Sequence, residues 1–353
     1  MSRSRRASFS YGVKLAVSHL LYAVGVLQLW QAIVLRRRAV VLMYHRVLTP
    51  EERRDAGSHP AMVVSRAAFE MQMALLKRRF VPLSVEAFGD RLSRREPFES
   101  SSCLITFDDG WRDNVVNALP SLRAHRLPSL IFLPVNFIGT TRVFWQEALT
   151  HLLTRAVRTV ASTPERRPAF EAILSTMDLA RLLTPGAEAA PMTIFGAIDG
   201  LKTRPREEIL AFVERLAGAL ECPLESLSRT DGFMSWNDAE RLAQEGVAFG
   251  GHGVEHHLLT QVPGDVVRAE AEGSMDVVAR TLGRPPLAFS YPNGYVNAGV
   301  VDTVKRAGYR LGFITRRGRV SCDDDPLLIK RLNIHDEMTD TAPMFLARLV
   351  GLW

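Results

Sequence analysis

LITFDDG is the sequence of residues Leu104–Gly110, and it constrains the fold more than any other stretch. Its first four residues are apolar or β-branched and predict a buried strand, and Asp108 and Asp109 follow at the carboxyl end of that strand. Adjacent carboxylates repel each other and lose hydration when they are buried, so the pair costs stability unless a positive charge lies beside it. The stretch therefore predicts a cation next to the two acids.

Strand and helix patterns alternate along the chain on both sides of this stretch. Such alternation is typical of a parallel sheet, and a chain of 353 residues is long enough for one large α/β barrel. The predicted strands are Ala39–Val47, Cys103–Phe107, Ser129–Val135, Ala248–Gly251, Leu287–Tyr291, Leu311–Ile314 and Leu328–Ile334. The predicted helices are Phe69–Phe80, Trp111–His125, Trp236–Glu245, Val266–Leu282 and Val301–Ala307.

Unusual polar residues follow several of the predicted strands. In α/β barrels the catalytic groups come from the carboxyl ends of several strands, so we expect these side chains at one edge of the barrel. They are His45, Asp108, Asp109, His252, Asn293 and His335. The sequence therefore predicts a single site at that edge.

Two segments depart from the barrel pattern. Residues from about 145 to 230 contain helical patterns, such as Ile209–Leu220, joined by segments with Pro and Thr, and they predict a helical insertion. Residues 1–38 form a basic and hydrophobic N-terminal segment. The remaining residues, 39–353, are then the barrel with its insertion.

The N-terminal segment indicates membrane association. The first 50 residues contain eight basic residues and no acid, so the net charge of +6 leaves −2 (6 minus 8) for the rest, which argues against nucleic acid as a partner. Residues Leu15–Leu35 are long enough to span a bilayer at about 1.5 Å per residue, but the same helix could lie in the membrane interface or pack on the body. We expect association through residues 11–38 with the inner, cytoplasmic membrane, or else a cytoplasmic location.

A second stretch supplies candidate ligands for the predicted cation. His252 and His256 are four residues apart, so a helical turn would place both imidazoles on one face, at a spacing able to chelate one metal ion. Asp108 or Asp109 can supply the carboxylate that completes a three-ligand site with open positions. The other aspartate, kept ionised by the cation, can then act as a general base.

These residues together resemble a known family. TFDDG (106–110) and the His252–His256 pair after Gly250-Gly251 are similar to motifs of the polysaccharide deacetylase family, also called the NodB-homology or carbohydrate esterase family 4 domain. Three further stretches resemble its exopolysaccharide and envelope-glycan branch: YHRV (44–47), SYPNG (290–294) and RLNIHD (331–336). The resemblance covers about residues 39–340 without the insertion, and it implies a distorted (β/α)7 barrel.

The resemblance also implies roles for the site residues and a reaction. The implied general base is Asp108, and the implied metal ligands are Asp109, His252 and His256. The implied acid that protonates the leaving amine is His335. The residues implied to contact the substrate or the oxyanion are Asn293, Tyr291 and His45. The implied reaction is the metal-dependent hydrolysis of N-acetyl groups on the amino sugars of a polysaccharide or envelope glycan, with Zn²⁺, Co²⁺ or Mn²⁺ as cofactor.

The sequence departs from the family pattern at three places. Ser290 stands where the family has an arginine that orients the catalytic aspartate, so the orientation of Asp108 must come from elsewhere. Asn293 replaces a common tyrosine, and Asn333 replaces the leucine two residues before His335. The aspartate-tryptophan motif expected before the last strand is missing from residues 320–325.

Three alternatives stay open. The substrate could be a lipid-linked amino sugar that carries either a formyl or an acetyl group. His252 to His256 also matches the H-x-x-E-H spacing of zinc peptidases, in which Glu255 would be the base, although the nearby glycines argue against the long helix that such enzymes need. The weakened motifs would also suit a non-catalytic barrel that binds glycans.

Overall fold

The computed structural model describes residues 3–184 and 191–353. Residues 1, 2 and 185–190 belong to the predicted N-terminal segment and insertion and lie outside the described residues. The described strands are short and largely buried, as expected of strands that are covered on both faces. They are β1 (Ala39–Tyr44), β2 (Arg46–Leu48), β3 (Val63–Ser65), β4 (Val81–Pro82), β5 (Ser102–Phe107), β6 (Leu130–Leu133), β7 (Ala248–Gly251), β8 (Ala288–Ser290), β9 (Leu311–Phe313) and β10 (Leu332–Asn333).

Helices lie between successive strands along the chain. They are α1 (Arg3–Ala23), α2 (Val26–Val34), α3 (Pro50–Asp55), α4 (Arg66–Arg79), α5 (Val85–Ser93), α6 (Leu119–His125), α7 (Trp145–Ser162), α8 (Arg167–Ser175), α9 (Pro191–Leu201), α10 (Arg206–Ala219), α11 (Trp236–Gln244), α12 (Gly264–Leu282), α13 (Ala298–Arg306), α14 (Asp336–Thr339) and α15 (Ala342–Leu349). Short 3-10 segments lie at Pro60–Met62, Pro164–Arg166, Ala180–Leu183, Leu224–Arg229 and Pro292–Gly294, and a π-helical turn spans Asn114–Ala118.

Seven strands form one parallel sheet in the order β10, β1, β5, β6, β7, β8, β9. β4 pairs in parallel with the first residues of β5, and β2 and β3 form a separate parallel pair. The two end strands are joined by residues 329–333, because Ile329 bridges Phe313 of β9 while β10 pairs with β1. The sheet therefore curls into a distorted (β/α) barrel, which confirms the predicted fold class.

Alternate residues of the strands point into this barrel. Their side chains form one buried cluster with residues of β4, α5 and the segments that follow them: Ala39, Val41, Leu83, Val85, Phe88, Leu92, Phe98, Leu104, Leu130, Phe132, Ala248, Ala288, Leu311, Phe313, Val320 and Ile329. Most of the strand residues come from the amino-terminal halves of their strands, so apolar packing fills that end of the barrel. The carboxyl ends are left for polar side chains.

The strand predictions hold at their centres and differ at their ends. The predicted final strand, Leu328–Ile334, forms only the two residues of β10, because residues 329–331 turn toward β9 instead. The predicted helix at Trp111–His125 begins with the π-helical turn at Asn114. Both differences lie beside the polar edge of the barrel.

The predicted N-terminal helix is broken. It divides into α1 and α2 at Gly25, whose φ of +79° is a left-handed conformation that favours glycine. In the described part of the chain, no single helix has the length and hydropathy needed to cross a bilayer. The segments Ser10–Ala23 and Val26–Val34 meet that test only together, and they are bent by 86°.

The chain divides into two compact units. The unit made of Met1–Pro50, Pro60–Gly139 and Met234–Trp353 contains the barrel. The other unit is made of Glu51–His59 and Thr140–Phe233, so it includes the described part of the predicted insertion. Its helices, α7 to α10, pack around a separate hydrophobic cluster that includes Leu152, Phe170 and Phe212.

We expect the substitution Gly250→Ala to destabilise the barrel. A Cβ at residue 250 would lie 2.6 Å from the Phe132 ring and 2.7 Å from the backbone oxygen of Ala288. The free energy of unfolding should fall by about 3 kcal/mol, since a backbone atom cannot move aside as a side chain can. Gly264→Ala is the control because a Cβ there has open space, and it should leave the denaturation midpoint unchanged or slightly higher. Equal midpoints for the two variants would contradict this packing.

Candidate active site

The carboxyl ends of the strands bring the predicted polar residues to one edge of the barrel. His45 follows β1, Asp108 and Asp109 follow β5, His252 follows β7, and His335 follows β10. Asp108 and Asp109 are both 3% exposed, and His252 is 2% exposed. The edge therefore holds a buried and strongly polar cluster.

Asp109, His252 and His256 lie within reach of one metal ion. One ligand atom from each residue lies within 4.8 Å of the other two. The Oδ1 atom of Asp109 is 3.4 Å from Nε2 of His252 and 3.6 Å from Nε2 of His256. These separations suit donor atoms arranged around a single cation with ligand distances of about 2.0–2.2 Å. The structure thus brings together the three residues predicted as metal ligands.

The His252 ring is oriented for ligation by Nε2. Its Nδ1 lies 2.6 Å from the backbone oxygen of Ser290, the last residue of β8. A carbonyl oxygen can only accept, so Nδ1 carries a proton, and Nε2 is the ring atom that faces Asp109 and is available to a metal ion. A ligand histidine held in this way by a backbone carbonyl is a common arrangement around protein-bound metals.

The His252–His256 segment is a loop and not a helical turn, in line with the glycines that surround it. His256 has a φ of +57°, which a helical turn does not allow, and this turn of the backbone is what brings its imidazole back toward Asp109. The buried carboxylate of Glu270, on α12, accepts the backbone N–H groups of Val254 and Glu255 at 2.9 Å each. Glu270 thus holds the loop that carries the two imidazoles.

The two neighbouring aspartates face different partners because the backbone turns between them. Asp109 has a φ of +74°, a left-handed conformation that costs a non-glycine residue about 1 kcal/mol or more. Its Oδ2 accepts the indole N–H of Trp111 at 3.0 Å, while its Oδ1 faces the imidazoles. The strained turn thus separates the two carboxylates.

Asp108 is held by a buried arginine that the sequence analysis did not assign. Arg331, immediately before β10, is fully buried and donates from Nη1 to Oδ1 at 2.7 Å and from Nη2 to Oδ2 at 2.8 Å. Such a bidentate pair fixes the plane of the carboxylate as well as its charge. The Ser290 hydroxyl lies 3.2 Å from Oδ2 and 2.9 Å from Nη2 of Arg331. Arg331 thus supplies the orientation that residue 290 does not.

The surrounding charges keep both aspartates ionised. Burial raises the pKa of Asp108, but the charges of Arg331 and His252 and the hydrogen bonds from Arg331 together outweigh it and hold the pKa below its usual range. Burial also raises the pKa of Asp109, but the hydrogen bond with His252 and the charge of His256 hold the pKa well below its usual range. Both groups are therefore carboxylates at neutral pH.

A buried ion pair supports the wall of the site. Arg46 donates from Nε to Asp113 at 2.9 Å, and its guanidinium lies 4.4 Å from the centre of the Trp111 ring. Asp113 also accepts the backbone N–H of Val47, and Asn114 donates to the backbone oxygen of His45. These contacts tie the end of β1 to the residues after β5, and they place the Trp111 indole against Asp109.

The remaining predicted site residues are placed differently. Burial lowers the pKa of His45, and the nearby charges of Asp109 and Asp108 oppose that effect, so its ring lies among the carboxylates. His335 begins α14 and is 9% exposed. Asn293 is partly exposed, with a φ of +54° in the 3-10 segment after β8. All three residues lie at the edge of the barrel, and the roles predicted for them stay predictions.

The side chain of Tyr291 does not face the site, which corrects its predicted contact with substrate. Ser290 points toward Asp108, so Tyr291 points to the opposite face of the strand. There it is fully buried in a cluster with Phe289, Val267 and Val300, and burial raises the pKa of its hydroxyl. Its side chain packs the barrel against α12 and α13.

We predict that Arg331→Met lowers kcat/KM by roughly 100-fold, because Asp108, the predicted general base, loses its fixed orientation. Without the guanidinium, the pKa of Asp108 rises, so the acidic limb of the pH–activity profile should move to higher pH. Arg331→Lys keeps the charge without the bidentate contact, and should keep the acidic limb nearer to that of the wild type.

The control for this prediction is Lys330→Met, which changes the neighbouring residue and removes only an ion pair with Asp324 on the surface. Thermal denaturation of each variant separates loss of fold from loss of activity. A folded Arg331→Met protein with the wild-type pH profile would contradict the role of Arg331.

Comparison with known proteins gives a family match and similar folds. A model of the family described as polysaccharide deacetylase matches residues 207–312, which include His252, His256 and Asn293. The chain is similar to the Streptococcus pyogenes deacetylase PplD in complex with acetate, with 18% identity and a TM-score of 0.57 over 88% of this chain and 98% of that one. IcaB from Ammonifex degensii is 16% identical, with a TM-score of 0.55 over 89% and 97% of the two chains.

A third similar structure is BC0361, a polysaccharide deacetylase from Bacillus cereus. It is 18% identical, with a TM-score of 0.53 over 88% of this chain and 69% of that chain. At these identities the likeness to solved structures shows the fold. Among curated proteins, no sequence matches this chain.

Proposed function

We propose that the chain is a hydrolase of the polysaccharide deacetylase family, that it is metal-dependent, and that it removes N-acetyl groups from the amino sugars of a polysaccharide or envelope glycan. The observation that carries the proposal is the convergence of Asp109, His252 and His256 beside the ionised, oriented Asp108. A carboxylate general base next to a cation site is an arrangement that supports metal-assisted hydrolysis of an amide.

The donor set fits a divalent metal. Two imidazole nitrogens and one carboxylate oxygen match the three-ligand sites that catalytic Zn²⁺ occupies, with an open position for water and substrate. Asp109, His252 and His256 would hold the ion, and Zn²⁺ is our first choice, with Co²⁺ and Mn²⁺ as alternatives. When bound, such an ion polarises a carbonyl group and lowers the pKa of water.

The chain's own residues supply proton transfer and orientation. Asp108 would take a proton from the attacking water, since its ionised carboxylate keeps an acceptor position beyond those used by Arg331 and Ser290. His335 would protonate the leaving amine. The backbone at Asn293 and the ring of His45 would contact the acetamide, and hydrolysis would release acetate and leave an amine on the glycan.

The peptidase alternative receives no support from the geometry around Glu255. The loop conformation of residues 252–256 differs from the long helix of H-x-x-E-H enzymes. The Glu255 carboxylate instead accepts a hydrogen bond from the Asn136 side chain at 2.7 Å.

We predict that Glu255→Gln keeps most of the deacetylase activity, because Gln can keep an acceptor toward Asn136 and Glu255 takes no part in proton transfer. Acetate release from chito-oligomers or poly-N-acetylglucosamine measures this. A fall of roughly 100-fold or more in a folded variant would favour Glu255 as the base.

We also predict that purified protein binds about one divalent ion per chain, and that Asp109→Ala and His252→Ala lose it. Metal content by mass spectrometry and acetate release should fall together, the latter by roughly 100-fold or more. His257→Ala is the matched control, because it removes an imidazole from the same loop that the site does not use.

Three results of these experiments would contradict the proposal. The first is that the wild-type protein binds no divalent metal, and the second is that the ligand variants keep both metal and activity. The third is that the metal-loaded wild type releases neither acetate nor formate from any amino-sugar substrate, including lipid-linked ones. Metal loss with glycan binding intact and no hydrolysis would favour a non-catalytic barrel. Formate release, or hydrolysis of lipid-linked sugars alone, would favour the alternative substrates.

A further inference from the structure

A helix on a protein surface usually buries apolar side chains and exposes polar ones. The two N-terminal helices bury polar side chains instead. Ser18 is fully buried and Gln31 is 5% exposed, although both are polar. The Gln31 side chain donates to the backbone oxygen of Arg79 and to the Ser101 hydroxyl at 3.0 Å each. The polar side of these helices thus faces the protein.

The outward side of the same helices is apolar. Among the described residues, eight of the twelve exposed large hydrophobic side chains lie between residues 13 and 33. They are Val13, Val17, Leu20, Val24, Val26, Leu29, Trp30 and Ile33. We call these eight residues the N-terminal apolar face. Such a concentration marks an interaction site, since soluble proteins rarely leave a contiguous apolar patch of this kind in water.

Contacts at both ends hold the helix pair against the barrel unit. Near the start of α1, the Tyr11 hydroxyl donates to Asp340 at 2.5 Å, just after α14. The Tyr22 ring lies 5.8 Å from the Arg79 guanidinium, and α2 is fixed by Gln31. These contacts leave the N-terminal apolar face uncovered and available to a partner.

Clustered arginines lie at the end of the apolar face. Arg36, Arg37 and Arg38 follow α2 and are exposed. Burial lowers the pKa of Arg319, and the nearby charges of Arg38 and Arg317 lower it further. In the described part of the chain, Arg38, Arg317 and Arg319 form no ion pair with a carboxylate. Like charges gathered without a counter-charge indicate an anionic partner.

We propose that the N-terminal apolar face lies in the interface of an anionic lipid bilayer. The arginines at its end, Arg36–Arg38 with Arg317 and Arg319, would then contact the lipid phosphates. An apolar helix face with a tryptophan on it and basic residues beside it has the composition of a helix that binds in the plane of a membrane. The first 50 residues of a second copy would offer no carboxylate to these arginines, whereas anionic headgroups complement their charge.

The test is sedimentation of the full chain with two kinds of vesicle, phosphatidylcholine alone and phosphatidylcholine mixed with phosphatidylglycerol. We expect about tenfold or more tighter binding to the mixed vesicles, and weaker binding as ionic strength rises. The double substitution Leu20→Glu and Leu29→Glu should lower binding to both kinds of vesicle by roughly tenfold or more.

A second pair of substitutions separates charge from apolar contact. Arg37→Gln with Arg38→Gln should weaken binding to the mixed vesicles by roughly fivefold for each arginine and leave binding to phosphatidylcholine unchanged. The emission of Trp30, obtained as the difference between wild type and Trp30→Phe, should shift to shorter wavelength with vesicles.

Leu210→Glu and Arg268→Gln are the matched controls, because both residues are exposed and lie on other helices. Thermal denaturation checks each fold, and Trp30→Glu is a milder test if the double leucine variant unfolds. The proposal is overturned if the wild-type protein binds neither kind of vesicle, or if the folded leucine variants bind vesicles as tightly as the wild type does. It is also overturned if sedimentation velocity shows a dimer that these substitutions dissociate while the protein does not bind vesicles. Vesicle binding needs no catalysis, so its failure is distinct from a failure of the proposed function.

Discussion

The site depends on the separation of two adjacent buried carboxylates. Asp108 and Asp109 are neighbours in sequence at the end of β5, and unpaired charges at such burial would cost several kcal/mol each. The left-handed conformation of Asp109 sends the two side chains to different partners. Asp108 pairs with the Arg331 guanidinium, and Asp109 faces two imidazoles and an indole N–H. One acid is thereby fixed as an ionised base, and its neighbour is left to bind a cation.

This arrangement refines the explanation that the sequence suggests. The LITFDDG stretch predicts a cation beside the acids, and a metal ion is an obvious candidate. The structure shows that the protein's own Arg331 compensates Asp108, so a metal would need to compensate only Asp109. Such a site needs a base and a cation-binding group. Each of the two aspartates can therefore serve one of these functions, because each has its own counter-charge.

The barrel and the meeting of the two histidines with the aspartate pair were predictable because each part is encoded locally, whereas the choice of Asp109 over Asp108 as the ligand rested on the family resemblance. Apolar runs specify the strands, and parallel strands bring their carboxyl ends to one edge, so His252 and Asp109 meet although 143 positions (252 minus 109) separate them. The conformation of residues 252–256 was not predictable from spacing alone, since a left-handed His256 and the distant Glu270 determine it. One feature of the sequence indicated that Arg331 has a special role, because it is a charged residue inside a run predicted to be a buried strand. The burial of Tyr291 follows from strand alternation once Ser290 is known to face Asp108.

The account's central claim is that Asp109, His252 and His256 bind one divalent ion beside an Asp108 held by Arg331. The most direct measurement is an anomalous difference map at the zinc absorption edge from crystals of zinc-loaded protein. The account predicts a single strong peak about 2.0–2.2 Å from Oδ1 of Asp109 and from Nε2 of His252 and His256, with Asp108 still paired with Arg331. A peak elsewhere, or none at this edge of the barrel, would contradict it.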